Sequence, residues 1–366
     1  MSDSEATQNA PVEAASHPPA TQPRERRRRR RRDDLMVPDA TFASYYGRSV
    51  VKPAPWDYKI PTYLYAGGLA AGSALVAAGA ELTGRTELQR NARLTALAAL
   101  GVSTAALVGD LGKPSRFLNM LRVIKLTSPM SVGSWILAGF GAFTGTAAAC
   151  EVAKIVLPQE SRINAALPVV SRGASLGSGF FAPPLAAYTA VLLSNTATPT
   201  WHGIYKELPF VFVGSAMGAA GGAAMITTNP AITGPARRMA IGGSALELAA
   251  FSLINRNAGL IGEPLHTGRA GRLVSASKAL TLAGMGLTLV GGRWRPAAVL
   301  AGLAFNAGSA ALRFGVFHAG IESAKDPKYT VIPQKERVAA RESTSRPGRT
   351  AQHAATVMRS APTELT

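Results

Sequence analysis

Eight apolar runs recur along the chain, at about Pro61–Ala80, Ala92–Val108, Ile136–Val156, Val169–Leu193, Pro209–Thr227, Met239–Ile254, Leu273–Val290 and Ala297–Val316. At a rise of about 1.5 Å per residue, each is about long enough to cross the ~30 Å hydrocarbon core of a bilayer as a helix. The runs are rich in glycine and alanine, small residues that let helices pack closely where lipid removes any hydrophobic drive between them. The fold expected is therefore all-α, a polytopic membrane protein of about eight transmembrane helices. Short connections favour antiparallel neighbours and hence two successive four-helix bundles, over residues 56–196 and 197–320, followed by a C-terminal tail, residues 321–366.

Charge narrows the partners. The chain has 366 residues, of which 47% are hydrophobic and 16% charged, with a formal net charge of +18. The mean hydropathy of +0.12 is held down by long polar ends. In a soluble protein this basicity would point to nucleic acid; here the basic residues lie in loops and tails, so anionic membrane lipid is expected and nucleic acid is not. Residues 1–55 are rich in Ala, Pro, Ser and Gln, carry an unbroken Arg26–Arg32 run, and lack apolar periodicity, as a disordered basic arm would. That arm does not read as a cleavable or twin-arginine signal, so the first apolar run is expected to direct insertion. The single Cys150 cannot build a disulfide, a zinc site or a cysteine-ligated cluster within the chain. The five histidines, His17, His202, His266, His318 and His353, leave a bis-histidine haem unexpected. If the protein moves electrons, its metal carriers belong to a partner.

Between the second and third runs lies D-L-G-K-P-S-R-F-L-N-M-L-R-V-I-K-L-T-S-P-M-S-V-G-S-W, Asp110–Trp135. Pro114 suits the first turn of a helix; Phe117, Leu118, Leu121 and Ile124 fall on one helical face, with Arg116, Arg122 and Lys125 off it. The spacing predicts a short helix over residues 113–126, lying in the membrane interface and stopped by Thr127-Ser128-Pro129. Two other segments stand out: W-D-Y-K-I-P-T-Y-L-Y-A-G-G-L-A-A-G (Trp56–Gly72), and R-F-G-V-F-H-A-G followed by S-A-K-D-P-K-Y-T-V-I-P-Q-K-E-R, within Arg313–Arg337. Together, the three resemble the NrfD/PsrC family of membrane subunits from polysulfide-reductase-like and formate-dehydrogenase-like complexes, over about Trp56 to Arg337. The resemblance implies a membrane anchor that exchanges electrons between menaquinone or ubiquinone and a docked iron–sulfur, ferredoxin-like subunit. That subunit would connect to a catalytic subunit of the molybdopterin type.

Quinone chemistry moves two electrons and two protons at a headgroup near the membrane surface, and needs hydrogen-bonding side chains and one titratable group there. Tyr63, one turn into the first helix, and Asp110, closing the second on the same membrane side, fit those roles, with Arg116 close in sequence. Gly67 and Gly68 beside Tyr63 would leave room for a ring. The family often places a histidine where this chain has Tyr63, and a phenol with a pKa near 10 gives up its proton less readily. Asp110 also has a structural reading, receiving the N–H groups of Leu111 and Gly112 or pairing with Arg116. Trp56 and Tyr58 are expected as interfacial aromatic anchors. Lys113, Arg116, Arg122 and Lys125, with the Asp326–Arg337 segment, are the candidate docking floor for the iron–sulfur partner; lipid phosphate is the competing ligand.

Deeper in the spans lie Glu151, Lys154, Arg172, Glu247, Lys278 and Arg313. A charge near mid-bilayer costs on the order of 3 kcal/mol, so these are expected to face protein. Glu151, Glu247 and Lys278 are proton-path candidates, and Glu247 with Lys278 reads as a buried pair, either relay or clamp. The bias of Arg and Lys among the loops places both termini and the Asp110 loop in the cytoplasm of a bacterial cell whose inner membrane the chain spans. Two rival readings remain: a passive scaffold, and a secondary transporter whose fourth helix is broken at Phe181-Ala182-Pro183-Pro184. The proline pair also reads as a packing kink.

Overall fold

The computed structural model describes residues 49–156 and 162–341, and every regular element among them is helical. Residues 1–48, most of the expected basic arm, and residues 342–366 of the expected tail lie outside the described residues. The long helices are α1 (Lys59–Leu82), α2 (Thr86–Asp110), α4 (Pro129–Val156), α5 (Arg162–Ser194), α7 (Leu208–Thr227), α8 (Gly234–Asn257), α9 (Gly268–Gly291) and α10 (Arg295–Lys325). Between them lie the short helices α3 (Arg116–Met120) and α6 (Pro199–Gly203) and a 3-10 helix, Gly259–Leu265. A final helix, α11, covers residues 328–341. Seven of the eight long helices are apolar and long enough to cross a membrane. The eighth, α8, carries Arg237, Arg238, Glu247 and Arg256, which lower its hydropathy without shortening it. The chain is thus the all-α, polytopic membrane protein of about eight helices that its apolar runs imply.

Helix ends follow local chemistry. Prolines occupy the first turn of α6, α7, α8 and α10, where a missing N–H costs nothing. Gly112 takes φ +71 just beyond α2, a left-handed conformation that turns the chain away from the helix axis. Arg295 closes the end of α7, its guanidinium donating to the carbonyls of Met225, Ile226 and Thr228.

Consecutive long helices pair as α1 with α2, α4 with α5, α7 with α8, and α9 with α10. Contacts of α1 with α5 and α2 with α4 tie the first two pairs together, and contacts of α7 with α10 and α8 with α9 tie the last two. The two sets meet where α1 packs on α7, flanked by α5 on α7 and α1 on α10. Accordingly α1 and α7 bury 78% and 72% of their most apolar stretches, against 28% for α9. The seam is backbone against backbone. A Cβ on Gly72 would lie 2.7 Å from the Ala216 carbonyl oxygen across it, and within the second set one on Gly302 of α10 would lie 2.4 Å from the carbonyl oxygen of Gly222 on α7. Only glycine permits such approach, and dispersion between close backbones replaces the absent hydrophobic drive.

The expected break in the fourth span does not occur. Helix α5 runs unbroken through Pro168, Pro183 and Pro184. A proline removes one donor from the ladder, but in lipid the remaining backbone groups have no better partner than the helix itself, so it continues.

Candidate functional site

The face of the membrane domain that carries the α2–α4 connection also carries the start of α1, α6, the 3-10 helix and α11. Its floor is an apolar cluster in which Ile60, Tyr63 and Leu64 of α1 pack with Trp201, Phe212, Leu312 and Phe317. Trp201 anchors it: the ring is fully buried, its Nε1–H donates to the Val316 carbonyl at 2.8 Å, and Trp56 stacks on it at 5.9 Å. Trp56 is half-buried and also packs on this floor, whereas Tyr58 stands 68% exposed at the helix start. Sequence reasoning missed Trp201; its place in a short Pro-initiated helix between two spans was the available signal.

Above this floor sits a charged group. Asp57 accepts hydrogen bonds from the backbone N–H and the ammonium of Lys59, both at 2.8 Å. Those bonds hold Asp57 below the usual carboxylate range. The Lys59 side chain runs along α2, where its Cδ is 3.4 Å from the position a Cβ on Gly109 would take. Asp110 follows, half-buried, in the electrostatic field of Asp57 and Lys59, and its carboxylate accepts no hydrogen bond from the described residues. The two structural alternatives for Asp110 are not realised. Leu111 N–H donates to the Val108 carbonyl and Arg116 donates to the Leu111 carbonyl at 3.1 Å.

Tyr63 is 2% exposed, and its carbonyl accepts a hydrogen bond from Ser103 Oγ of α2 at 3.2 Å. The space beside Gly67 and Gly68 is taken by neighbouring helices. A Cβ on Gly67 would meet Ser103 Oγ at 3.1 Å, and one on Gly68 would meet Ala216 Cβ at 3.3 Å and the Arg313 guanidinium at 3.4 Å. These glycines serve helix contact rather than an open ring-sized recess.

The helix expected over 113–126 is only α3, five residues long. Phe117 turns inward against the cluster that contains Leu137 and Phe140, and the chain beyond Leu121 is non-helical, tied back by Ser131 Oγ donating to the Val123 carbonyl. Lys113, Arg122 and Lys125 are exposed, and their side chains make no ion pair with the described residues. Ile124 and Leu126, with Val132, Trp135, Ile136, Ala138, Gly139 and Phe181, line an apolar groove of about 530 Å³ on the same side. Helix α11 is fastened to this face by Lys328, whose ammonium lies 3.0 Å from Glu263.

Two buried arginines organise the interior, and the sequence reading anticipated only one of them as deep. Arg93 of α2, 2% exposed, pairs with Glu81 of α1 at 2.6 Å and with Glu151 of α4. It also donates to Ser171 Oγ at 2.7 Å and to Ser175 Oγ at 2.8 Å, both on α5. One guanidinium thus bonds three other helices of the first set, and Glu151, a proton-path candidate, is a member of this clamp, with Lys154 at 3.1 Å.

In the second set the expected Glu247–Lys278 pair is absent. The Lys278 ammonium lies over the Phe251 ring at 4.1 Å, a cation–π contact that leaves it directed along α8 rather than at Glu247. Glu247, 3% exposed, instead accepts from Thr281 Oγ1 at 3.3 Å and lies in the field of Arg313. Arg313 stacks on the Phe212 ring at 3.8 Å and donates Nη2–H to the Phe212 carbonyl at 2.7 Å, while its Nε and Nη1 find no acceptor among the described residues. Tyr65 OH completes the junction, donating to Asn306 Oδ1 at 2.9 Å.

No group of three or more His, Cys, Asp or Glu residues that could hold a metal ion occurs among the described residues. Apolar helices long enough to cross a membrane that meet along a glycine seam, with buried ionisable clusters joining them, define an integral membrane protein of the polytopic helical class. A family model described as Polysulphide reductase, NrfD, matches residues 49–239, more than half of the chain, and the chain belongs to that family. The match takes in α1 through the first turns of α8, hence the Trp56–Gly72 and Asp110–Trp135 motifs but not Arg313–Arg337. No curated protein sequence matches the chain. Members of the family are, in general, quinone-interacting membrane subunits of oxidoreductase complexes.

Proposed function

We propose that this chain is the quinone-interacting membrane anchor of a multi-subunit oxidoreductase, exchanging electrons between menaquinone or ubiquinone and an iron–sulfur subunit docked on the Asp110 face. A molybdopterin-type catalytic subunit would lie beyond it. The Arg and Lys bias among the loops supports placing that face, and both termini, on the cytoplasmic side of a bacterial inner membrane. The observation that carries the reading is Asp110, a half-buried carboxylate that accepts no hydrogen bond from the described residues, at the end of a membrane-spanning helix of a family member. In this proposal Asp110 accepts or returns the quinone proton, Lys59 tunes its charge, and the groove near Trp135 offers apolar surface for an isoprenoid tail. Tyr63 shapes the floor beneath rather than opening onto it. The quinone itself supplies the two-electron chemistry.

Replacing Asp110 by Asn keeps shape and removes the titrating proton. A positioned general acid or base contributes about 100-fold or more, so quinone-linked turnover of the intact complex should fall by at least that factor while subunit assembly is unchanged. Full activity of D110N in an assembled complex would remove Asp110 from the chemistry. The transporter reading drew on about eight helices, a possible two-bundle repeat and a broken fourth helix; α5 is continuous, which removes the last of these, and the first two fit the anchor equally well.

A further inference from the structure

The face opposite Asp110 carries a feature that the quinone reading does not use. Between the start of α8 and the end of α9 lies a cleft of about 500 Å³, lined by Arg237, Arg238 and Arg293 above and by Ile241, Leu289 and Trp294 among the residues below. Arg237 is fixed by the fold: its guanidinium donates to the carbonyls of Pro230 at 2.7 Å and Gly292 at 3.0 Å. Arg238 and Arg293 are exposed, make no ion pair or hydrogen bond with the described residues, and lie within electrostatic reach of Arg237. Among the described residues no acidic side chain lines the cleft itself; Glu87 lines the adjoining cavity, which shares Arg237 and Arg293 and also holds Arg295. The arginines outnumber that one carboxylate, like charges held together repel one another, and an anion relieves the cost.

The lower wall identifies which anion. Leu289 and Val290 belong to the last turn of a membrane-spanning helix and are 70% and 93% exposed, and Trp294 is 67% exposed at the helix end. A free phosphate would use the arginines and leave this apolar wall unexplained. A phospholipid uses both, with its phosphate against the guanidinium groups, its acyl chains along Ile241, Leu289 and Val290, and the indole at headgroup depth.

We propose that this cleft is a binding site for an anionic phospholipid, formed by Arg237, Arg238 and Arg293 and closed on its apolar side by Trp294. The site lies on α8, α9 and the turn to α10, clear of every residue assigned to quinone chemistry or to partner docking.

The test uses the full chain in vesicles and the emission that Trp294 contributes, obtained as wild type minus W294F. Brominated phosphatidylglycerol, brominated phosphatidylcholine and inorganic phosphate are the probes. Quenching of the Trp294 component should favour brominated phosphatidylglycerol in the wild type. The double variant R238Q/R293Q should lower that preference about thirtyfold, two basic residues at roughly 1 kcal/mol each. R238K/R293K should retain most of it, and unchanged helical circular dichroism shows that the variants are folded. Equal quenching by the two lipids, or a preference that survives R238Q/R293Q, would overturn the site. Abolition of the preference by inorganic phosphate would reassign it to a free anion and overturn the lipid proposal.

Discussion

Arg93 offers the sharpest quantitative expectation. Its guanidinium, with side-chain exposure of 1%, faces carboxylates of Glu81 and Glu151 exposed at 19% and 12%, and two serine hydroxyls of α5 fill its remaining donors. Substitution by Met keeps an unbranched apolar stem but leaves two largely buried carboxylates without their counter-charge; Lys154 remains to compensate Glu151 alone. Breaking a buried ion pair from one side costs about 3–5 kcal/mol, whereas removing all its charges together is often close to neutral. R93M should therefore lower the unfolding free energy in mixed micelles by about 3–5 kcal/mol, and R93M/E81Q/E151Q should recover most of that loss. Denaturant titration followed by tryptophan emission measures both. A single variant that loses less than about 1 kcal/mol, or a triple variant no better than the single, would show that the cluster is not the electrostatic clamp its geometry indicates. The same logic separates Glu151 from proton transfer: E151Q should weaken the fold and leave quinone turnover per assembled complex unchanged.

Three further outcomes are expected. G302A places a Cβ 2.4 Å from a carbonyl oxygen that cannot retreat, and should destabilise by about 1–3 kcal/mol in the same titration, while G79A, whose Cβ meets nothing within 4 Å, should be neutral or slightly stabilising. If the proposed iron–sulfur partner docks there, reversing the exposed Arg122 and Lys125 to Glu should release it during purification, increasingly so with added salt; unchanged co-purification would leave these residues to lipid. Partial desolvation by the surrounding helix ends, and secondarily the Lys278 ammonium, hold the otherwise exposed His266 below the usual imidazole range, so the folded chain binds fewer protons there than the unfolded one. Stability should decline as pH falls through that lowered value, and H266Q should flatten the decline in Tm measured from about pH 8 to about pH 5.

The spans were legible because a run of some 20 apolar residues has few other fates in water or lipid. What sequence spacing misjudged was direction. Phe117, Leu118, Leu121 and Ile124 satisfy a helical stripe, yet Phe117 leaves the membrane plane to fill a gap between helices, and the stripe ends with α3. Lys278 and Glu247 sit on helices adjacent in sequence, but α8 and α9 touch sparingly through an intervening 3-10 helix, and the lysine turns to Phe251. Arg93 and Glu81 lie near span ends, where nothing in their spacing marks them; only the packing that brings α1, α2, α4 and α5 together shows them to form an interior clamp. Asp110 was legible as an ionisable group at a span boundary, while the company of Lys59 and Asp57 required the fold.

The glycine seam between α1 and α7 has a mechanical consequence. Side chains hop between rotamers and let packed surfaces slide; two backbones in contact have no such compliant layer. A carrier that rocked its halves about a central cavity would have to part Gly72 of α1 from the Ala216 carbonyl of α7, forfeiting the contact that holds the halves together. A rigid frame suits the proposed role of an electron conduit instead. Tunnelling rates fall steeply with distance, so a scaffold that does not breathe would keep the gap between the proposed surface-docked carrier and a quinone in the membrane constant from one turnover to the next.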